Sequence, residues 1–138
     1  VGPLDLLFWY NQETLYQMLT DYGEAIRYRY IIGLLTVDLA YPIFYGTFLV
    51  IIMALIIKKF TLPFSQKIIF IPYIVVFFDL IENSILVFLL STYPIKHTVI
   101  ANIAGVVTAA KWSAFVLIVI FLLYLVIYGI RSRKSISR

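Results

Sequence analysis

The sequence predicts an all-α transmembrane helical bundle of three spans, preceded by a short amphipathic helix. Hydrophobic residues make up 63% of the 138-residue chain and charged residues only 13%, against roughly 45–50% and about 25% in a water-soluble domain. Three apolar runs stand out, Ile31 to Ile57, Ile68 to Leu90 and Thr98 to Ile130. Each reaches the roughly 20 residues that a membrane-crossing helix needs. Backbone amides in hydrocarbon must be satisfied within their own segment, so runs this long form helices. One integral membrane domain takes up residues 1–138, with spans expected at 24–58, 67–91 and 97–131 and a tail at 132–138.

Residues 1–23 read as a structured amphipathic segment. Asn11 is an expected N-cap, and Glu13 sits in the first turn, where a carboxylate complements the helix dipole. Leu15 and Leu19, joined by Tyr16 and Tyr22, recur at helical spacing, which gives a helix near 11–21 that Gly23 ends or bends. Trp9, Tyr10, Tyr16, Tyr22, Tyr28 and Tyr30 are expected to form an aromatic belt at the membrane interface.

The charges set an orientation. If the spans alternate, Lys58, Lys59, Lys67, Arg131, Arg133, Lys134 and Arg138 share one side with no acidic residue. Arg27, Arg29 and Lys96 fall on the other, with Asp5, Glu13, Asp21 and Glu24. The positive-inside rule makes the first side cytoplasmic. A multi-pass protein of the cell membrane is expected, its N-terminal segment extracytoplasmic and its tail cytoplasmic. An N-terminal segment outside needs something to carry it across. A preceding helix, a removed signal or a partner subunit is therefore expected.

The same basic flank serves as a depth ruler. At about 1.5 Å per residue, Asp38 lies roughly 30 Å from Lys58, and Lys111 roughly 30 Å from Arg131. Asp79 lies about 18 Å from Lys67, with Glu82 and Asn83 at about 23 Å. The polar residues of the spans thus gather in the outer half. Faces agree with depth. Asp79, Glu82, Asn83 and Leu86 share one helical stripe, as do Asp38, Tyr41, Pro42 and Tyr45, and Ala104, Thr108, Lys111 and Phe115. A carboxylate facing lipid is costly, so these stripes should turn towards each other. The expected pocket comprises Asp38, Tyr41, Tyr45, Asp79, Glu82, Asn83, Thr108 and Lys111, with Arg27 and Arg29 as an outer rim. Lys111 is expected to pair with Asp38 or Glu82, leaving Asp79 the deepest group and the least supplied with cations. Ala101, Gly105 and Ala109 form a small-residue series that permits close approach of another helix. Asn102 points away from the Lys111 stripe to a different contact, and His97 is expected to be an exposed loop residue.

Inventory excludes several chemistries. The chain has no cysteine and a single histidine, His97, too few for a zinc hydrolase or a buried Ser-His dyad. It has no Walker A loop, no GxGxxG and no pair of histidines for haem, so no metal and no cofactor is implied. The net charge of +4 comes from a membrane flank suited to anionic lipid rather than to nucleic acid.

The succession "YGEAIRYRY", "DLAYPIFYG", "DLIEN", "STYP" and "TAAKW" resembles a family of small, functionally uncharacterised prokaryotic four-helix integral membrane proteins. The resemblance covers most of the chain, and its motifs are short. It implies a further hydrophobic helix ahead of "VGPLDLLFWY" and brings no activity with it. The function expected from the residues is a carboxylate-rich site in the outer leaflet that binds or modifies a membrane lipid or another hydrophobic or amphipathic small molecule. Two alternatives stand beside it, a proton- or ion-coupled transport component and a non-catalytic accessory or assembly subunit of a membrane complex.

Overall fold

In the computed structural model, which describes residues 2–136 with side chains through 132, every regular element is a helix. A 3-10 turn, Leu4–Leu6, precedes α1 (Gln12–Leu35) and α2 (Val37–Phe60). A second 3-10 segment, Gln66–Phe70, leads into α3 (Tyr73–Thr92), and α4 (Thr98–Ile136) closes the chain. The described residues contain three stretches long and apolar enough to cross a membrane, Gln12–Phe60, Gln66–Thr92 and Thr98–Ser132. The chain is an all-α bundle of membrane-spanning length. Of the tail expected at 132–138, α4 takes in residues as far as Ile136, while 137 and 138 lie outside the described residues.

The start of α1 is fixed from two sides. The Asn11 side chain accepts the Thr14 N–H at 2.9 Å, as its position before the helix predicts, and Asn102 on α4 accepts the Gln12 N–H at 2.9 Å. Together they satisfy two of the donors that a helix leaves unpaired at its N-terminus. At Gly23 the backbone adopts φ +65 and ψ 172, a conformation that glycine takes without steric cost. The chain reverses there. Before it, Gln12 meets Asn102, the Tyr16 hydroxyl accepts the His97 N–H at 2.6 Å, and Thr20 meets the Tyr93 hydroxyl at 3.1 Å. After it, Tyr30 has returned to Asp5, and its ring packs edge-on against Tyr22 at 5.9 Å. Arg27 reaches back to donate to the Leu19 carbonyl at 2.8 Å, in the last turn before the break.

Two further irregularities shape the first span. The Thr36 hydroxyl donates to the Ile32 carbonyl at 2.6 Å, and the backbone departs from helix there, at φ −119 and ψ −78. Such back-bonding competes with the helical ladder. Pro42 sits inside α2 with no N–H to give the carbonyl four residues earlier, which is that of Asp38. Asn83 on α3 supplies the missing donor, its amide 2.7 Å from the Asp38 carbonyl. A polar side chain in one span thus completes the broken backbone of another.

The small-residue series on α4 does not receive a helix. It receives the extended arm ahead of α1. A Cβ on Gly105 would overlap the Tyr10 carbonyl, so only glycine admits the arm at this point. Leu4 is 0% and Tyr10 1% exposed. They join Leu15, Leu19, Leu34, Leu86 and Ala104 in the core at the arm-bearing end of the bundle. Two smaller apolar layers follow towards the end that carries Lys58 and Lys59. Leu49, Val75 and Ile118 form the first, and Met53, Leu62 and Leu125 the second.

The aromatic belt needs correction. Trp9 and Tyr28 are exposed, but Tyr10, Tyr16 and Tyr22 are buried in the core and Tyr30 is half-buried. Their hydroxyls bond Thr108, the His97 N–H, the Gly2 carbonyl and Asp5 respectively. Tyrosine satisfies an interface and a polar core equally well, and its spacing does not separate the two. The second span also starts differently from expectation. Its first turns, Gln66–Phe70, are 3-10, and the α-helix proper begins at Tyr73 after Pro72.

Two outcomes follow from this packing. Gly105→Ala should displace the arm and cost about 1–3 kcal/mol, the usual range for overpacking. Thermal unfolding in detergent and chymotryptic cleavage at Trp9 and Tyr10 report it, and an arm that stays protected refutes the contact. Asn83→Leu should cost about 0.5–2 kcal/mol in the native background. It should cost measurably less with Pro42→Ala, which returns an N–H to the Asp38 carbonyl. A double-mutant cycle with no coupling between the two residues would exclude the bond.

Candidate functional site

The polar stripes of the three spans converge on the Lys111 ammonium. Its Nζ lies 2.5 Å from Glu82 Oε2 and 3.4 Å from Asp79 Oδ1, and it donates to the Asp5 carbonyl at 3.2 Å. An ammonium has three N–H donors. Two hydrogen bonds are made, to Asp79 and to the backbone of the arm, and the Glu82 contact is an ion pair. Lys111 therefore pairs with Glu82, one of the two partners its position predicts, and with Asp79 in place of Asp38. Asp79 lies about one turn from Glu82 on the same face of α3, so the flexible lysine stem reaches both.

Behind the ammonium lies a second, fully buried layer. Glu82 is 0% exposed, and its Oε1 accepts from the Thr108 hydroxyl at 2.5 Å. Thr108 has one proton to give. That hydroxyl also lies 3.3 Å from the Tyr10 hydroxyl oxygen and 3.0 Å from the Ala104 carbonyl, so three acceptors face its one proton. Burial raises the Tyr10 pKa well above the ordinary phenol value, against the lowering hydrogen bond from Thr108 and with the Glu82 charge adding to the rise.

In front of the ammonium the side chains enclose a cavity of about 510 Å³. Six of the eight predicted pocket residues line it: Asp38, Tyr41, Tyr45, Asp79, Asn83 and Lys111. Glu82 and Thr108 do not, since they stand behind Lys111 and hold it. Asp79 Oδ2 accepts from the Tyr45 hydroxyl at 2.8 Å. The carboxylate of Asp38 has no hydrogen bond or ion pair among the described residues, only its backbone carbonyl being engaged. Pro42, Phe48 and Leu49 on α2, Val75 on α3, and Trp112 and Phe115 on α4 complete the wall. Asp5 and Leu6 of the arm add to it. Tyr41 and Phe48 are 62% and 61% exposed, so the rim along α2 lies on the apolar outer surface of the bundle.

Arg27 and Arg29 do not form a rim to this cavity. The Arg27 guanidinium stacks on Tyr93, 4.2 Å from the ring centroid, beside a separate open groove lined also by Glu24, Tyr28 and Ser91. Arg29 is exposed and lines neither space. His97 is not an exposed loop residue. It is half-buried, its ring lies 4.8 Å from that of Phe88, and its Nε2 is buried without a hydrogen bond, as is Nε1 of Trp112.

Sequence reasoning missed Asp5, Tyr10 and Trp112. A lone carboxylate inside the apolar string "GPLDLLFWY" is the same signal that marked Asp79 and Glu82. Asp5 counts in the sequence only among the acidic residues of the outer side, because its segment has no helical period to give it a face. Comparison with family models, curated proteins and solved structures gives no match.

The Lys111 centre yields a stability test. Lys111→Met leaves Glu82 buried without its counter-charge and should cost about 3–5 kcal/mol in detergent unfolding. Adding Glu82→Gln should recover a measurable part of that loss, whereas adding Asp38→Asn should recover none. Equal rescue by both would place the ion pair elsewhere.

Proposed function

We propose that this membrane protein binds, or modifies, a lipid or another amphipathic small molecule in the cavity between α2, α3 and α4. The observation that carries the reading is the cavity's construction. Apolar and aromatic walls surround a few fixed polar groups, and one rim lies on the lipid-facing surface. Sites for small molecules have this composition, with walls for affinity and sparse polar groups for orientation. The distribution of Lys and Arg supports an arm on the extracytoplasmic side and the Lys58–Lys59 end in the cytoplasm, with the cavity in the outer leaflet.

A transport role gains little from the rest of the bundle. The apolar layer around Leu49 and Val75 is part of the cavity wall, a second around Met53 follows towards the Lys58–Lys59 end, and a conducting path needs polar groups along it. One observation favours a structural share for part of the site, as an accessory subunit would have. Glu82, Thr108 and Tyr10 do not line the cavity and engage one another and Lys111 instead.

Lipid extraction tests the reading. Wild-type protein and a Leu49→Trp variant, which fills the cavity, are purified identically and their bound lipids compared by mass spectrometry. Wild-type protein should retain an amphipathic species near stoichiometry, and the variant about fivefold less or lower, a loss of roughly 1 kcal/mol in binding. Equal retention of the same species would place it on the outer surface and end the proposal.

A further inference from the structure

We infer that the cavity takes the cationic head group of an amphiphile, an amine or quaternary ammonium on a hydrocarbon chain. This rests on the reading of the cavity as a binding site and specifies its guest. The inference follows from which polar groups are already engaged. Lys111 is the only cation among the described residues of the wall, and it is ion-paired with Glu82 and Asp79 and donates to the Asp5 carbonyl. An anionic head group therefore finds the ammonium already neutralised by two carboxylates. It would also face the carboxylates of Asp5, Asp38 and Asp79 at close quarters.

A cation meets the opposite situation. The Asp38 carboxylate lines the cavity with no hydrogen bond or ion pair of its own among the described residues. In a low-dielectric setting a lone carboxylate gains most from a counter-charge that arrives with the guest. The walls beside it are aromatic. Tyr41 and Tyr45 form an edge-on pair at 5.4 Å on α2, and Trp112 and Phe115 form another at 6.2 Å on α4. Aromatic faces attract cations through their quadrupoles, and desolvation strengthens the attraction. Phe48, on the exposed rim, offers the hydrocarbon chain an apolar exit.

The test uses intrinsic fluorescence of Trp112 in a Trp9→Phe background, which leaves a single tryptophan. The protein is held in dodecyl maltoside and titrated with dodecyltrimethylammonium, laurate, dodecanol and tetramethylammonium. The cationic amphiphile should bind about tenfold or more tightly than laurate or dodecanol, the scale of one desolvated cation–aromatic contact. Asp38→Asn should weaken it by about fivefold or more while leaving the melting temperature unchanged, since that carboxylate holds no part of the fold. If the variant does unfold more easily, Asp38→Glu, which keeps the charge, must bind within about twofold of wild type. Loss of binding there overturns the role of Asp38. Laurate or dodecanol binding as tightly as the cation, with Leu49→Trp abolishing all three, keeps the site and overturns the head-group assignment. Tetramethylammonium binding as tightly as its long-chain counterpart makes the guest a free cation and overturns the amphiphile. Binding by none of the four overturns this inference and the proposed function together.

Discussion

The Lys111 ammonium holds together parts of the chain that nothing else would bring to one point. It joins α4, which carries it, to Glu82 and Asp79 of α3 and to the backbone of the arm at Asp5. A buried ion pair of this kind adds little net stability, because removing the charges from water costs about as much as their attraction returns. Its effect is on register. Slipping α3 against α4 by one residue would turn both carboxylates off the lysine and leave each uncompensated. The arrangement is thus fixed by the cost of its alternatives. The arm shares this constraint, because Lys111 also donates to the Asp5 carbonyl.

The backbone irregularities gather around the same level. Gly23 reverses the chain, Thr36 interrupts the junction of α1 and α2, and Pro42 frees a carbonyl inside a span. Exposed to lipid, each would leave unsatisfied polar groups at a cost of several kcal/mol. Here protein supplies the partners, Arg27 for Leu19 and Asn83 for Asp38. Pro42 and Asn83 are therefore one device on two helices. The irregular backbone opens room beside α2, and the cavity occupies that room. Away from the cavity the helices pack closely. Gly46 lies against Val76 and Gly129 against Phe60, where a Cβ would overlap the neighbouring side chain.

What the sequence made legible follows from which physical signals are periodic. The spans were legible from hydropathy, and the three polar stripes from helical spacing, because lipid forces polar groups of a helix onto one inward face. Six of the eight residues chosen in this way line one cavity. The arm was not legible. Residues 2–10 have no helical or strand period, and their burial depends on a groove that only the folded α4 presents at Gly105. The small-residue series pointed to close approach of a helix, and at Gly105 it meets the arm instead. Glu82 was legible as a partner of Lys111; Asp79, one turn away on the same face, was set aside because the ruler put it deeper. Tyr16 and Tyr22 looked like interface anchors because a tyrosine that caps a buried hydrogen bond has the same sequence appearance as one at a membrane surface.

The site divides into a closed part and an open part, and the division has a physical basis. Glu82 is wholly buried, and a carboxylate there is tolerable only with its acceptors filled from within. Lys111 and Thr108 fill them, and Tyr10 completes the set. Asp38 stands on the other side of the same ammonium, half-exposed to the cavity, with its carbonyl engaged and its carboxylate not. Had Lys111 turned to Asp38, Glu82 would be left alone at 0% exposure, the costlier of the two choices. The fold therefore directs Lys111 to the most buried carboxylate and leaves that of Asp38 facing the cavity. Structural demand at Glu82 thus produces an open acceptor at Asp38, and the aromatic pairs beside it give that acceptor a preference for cations.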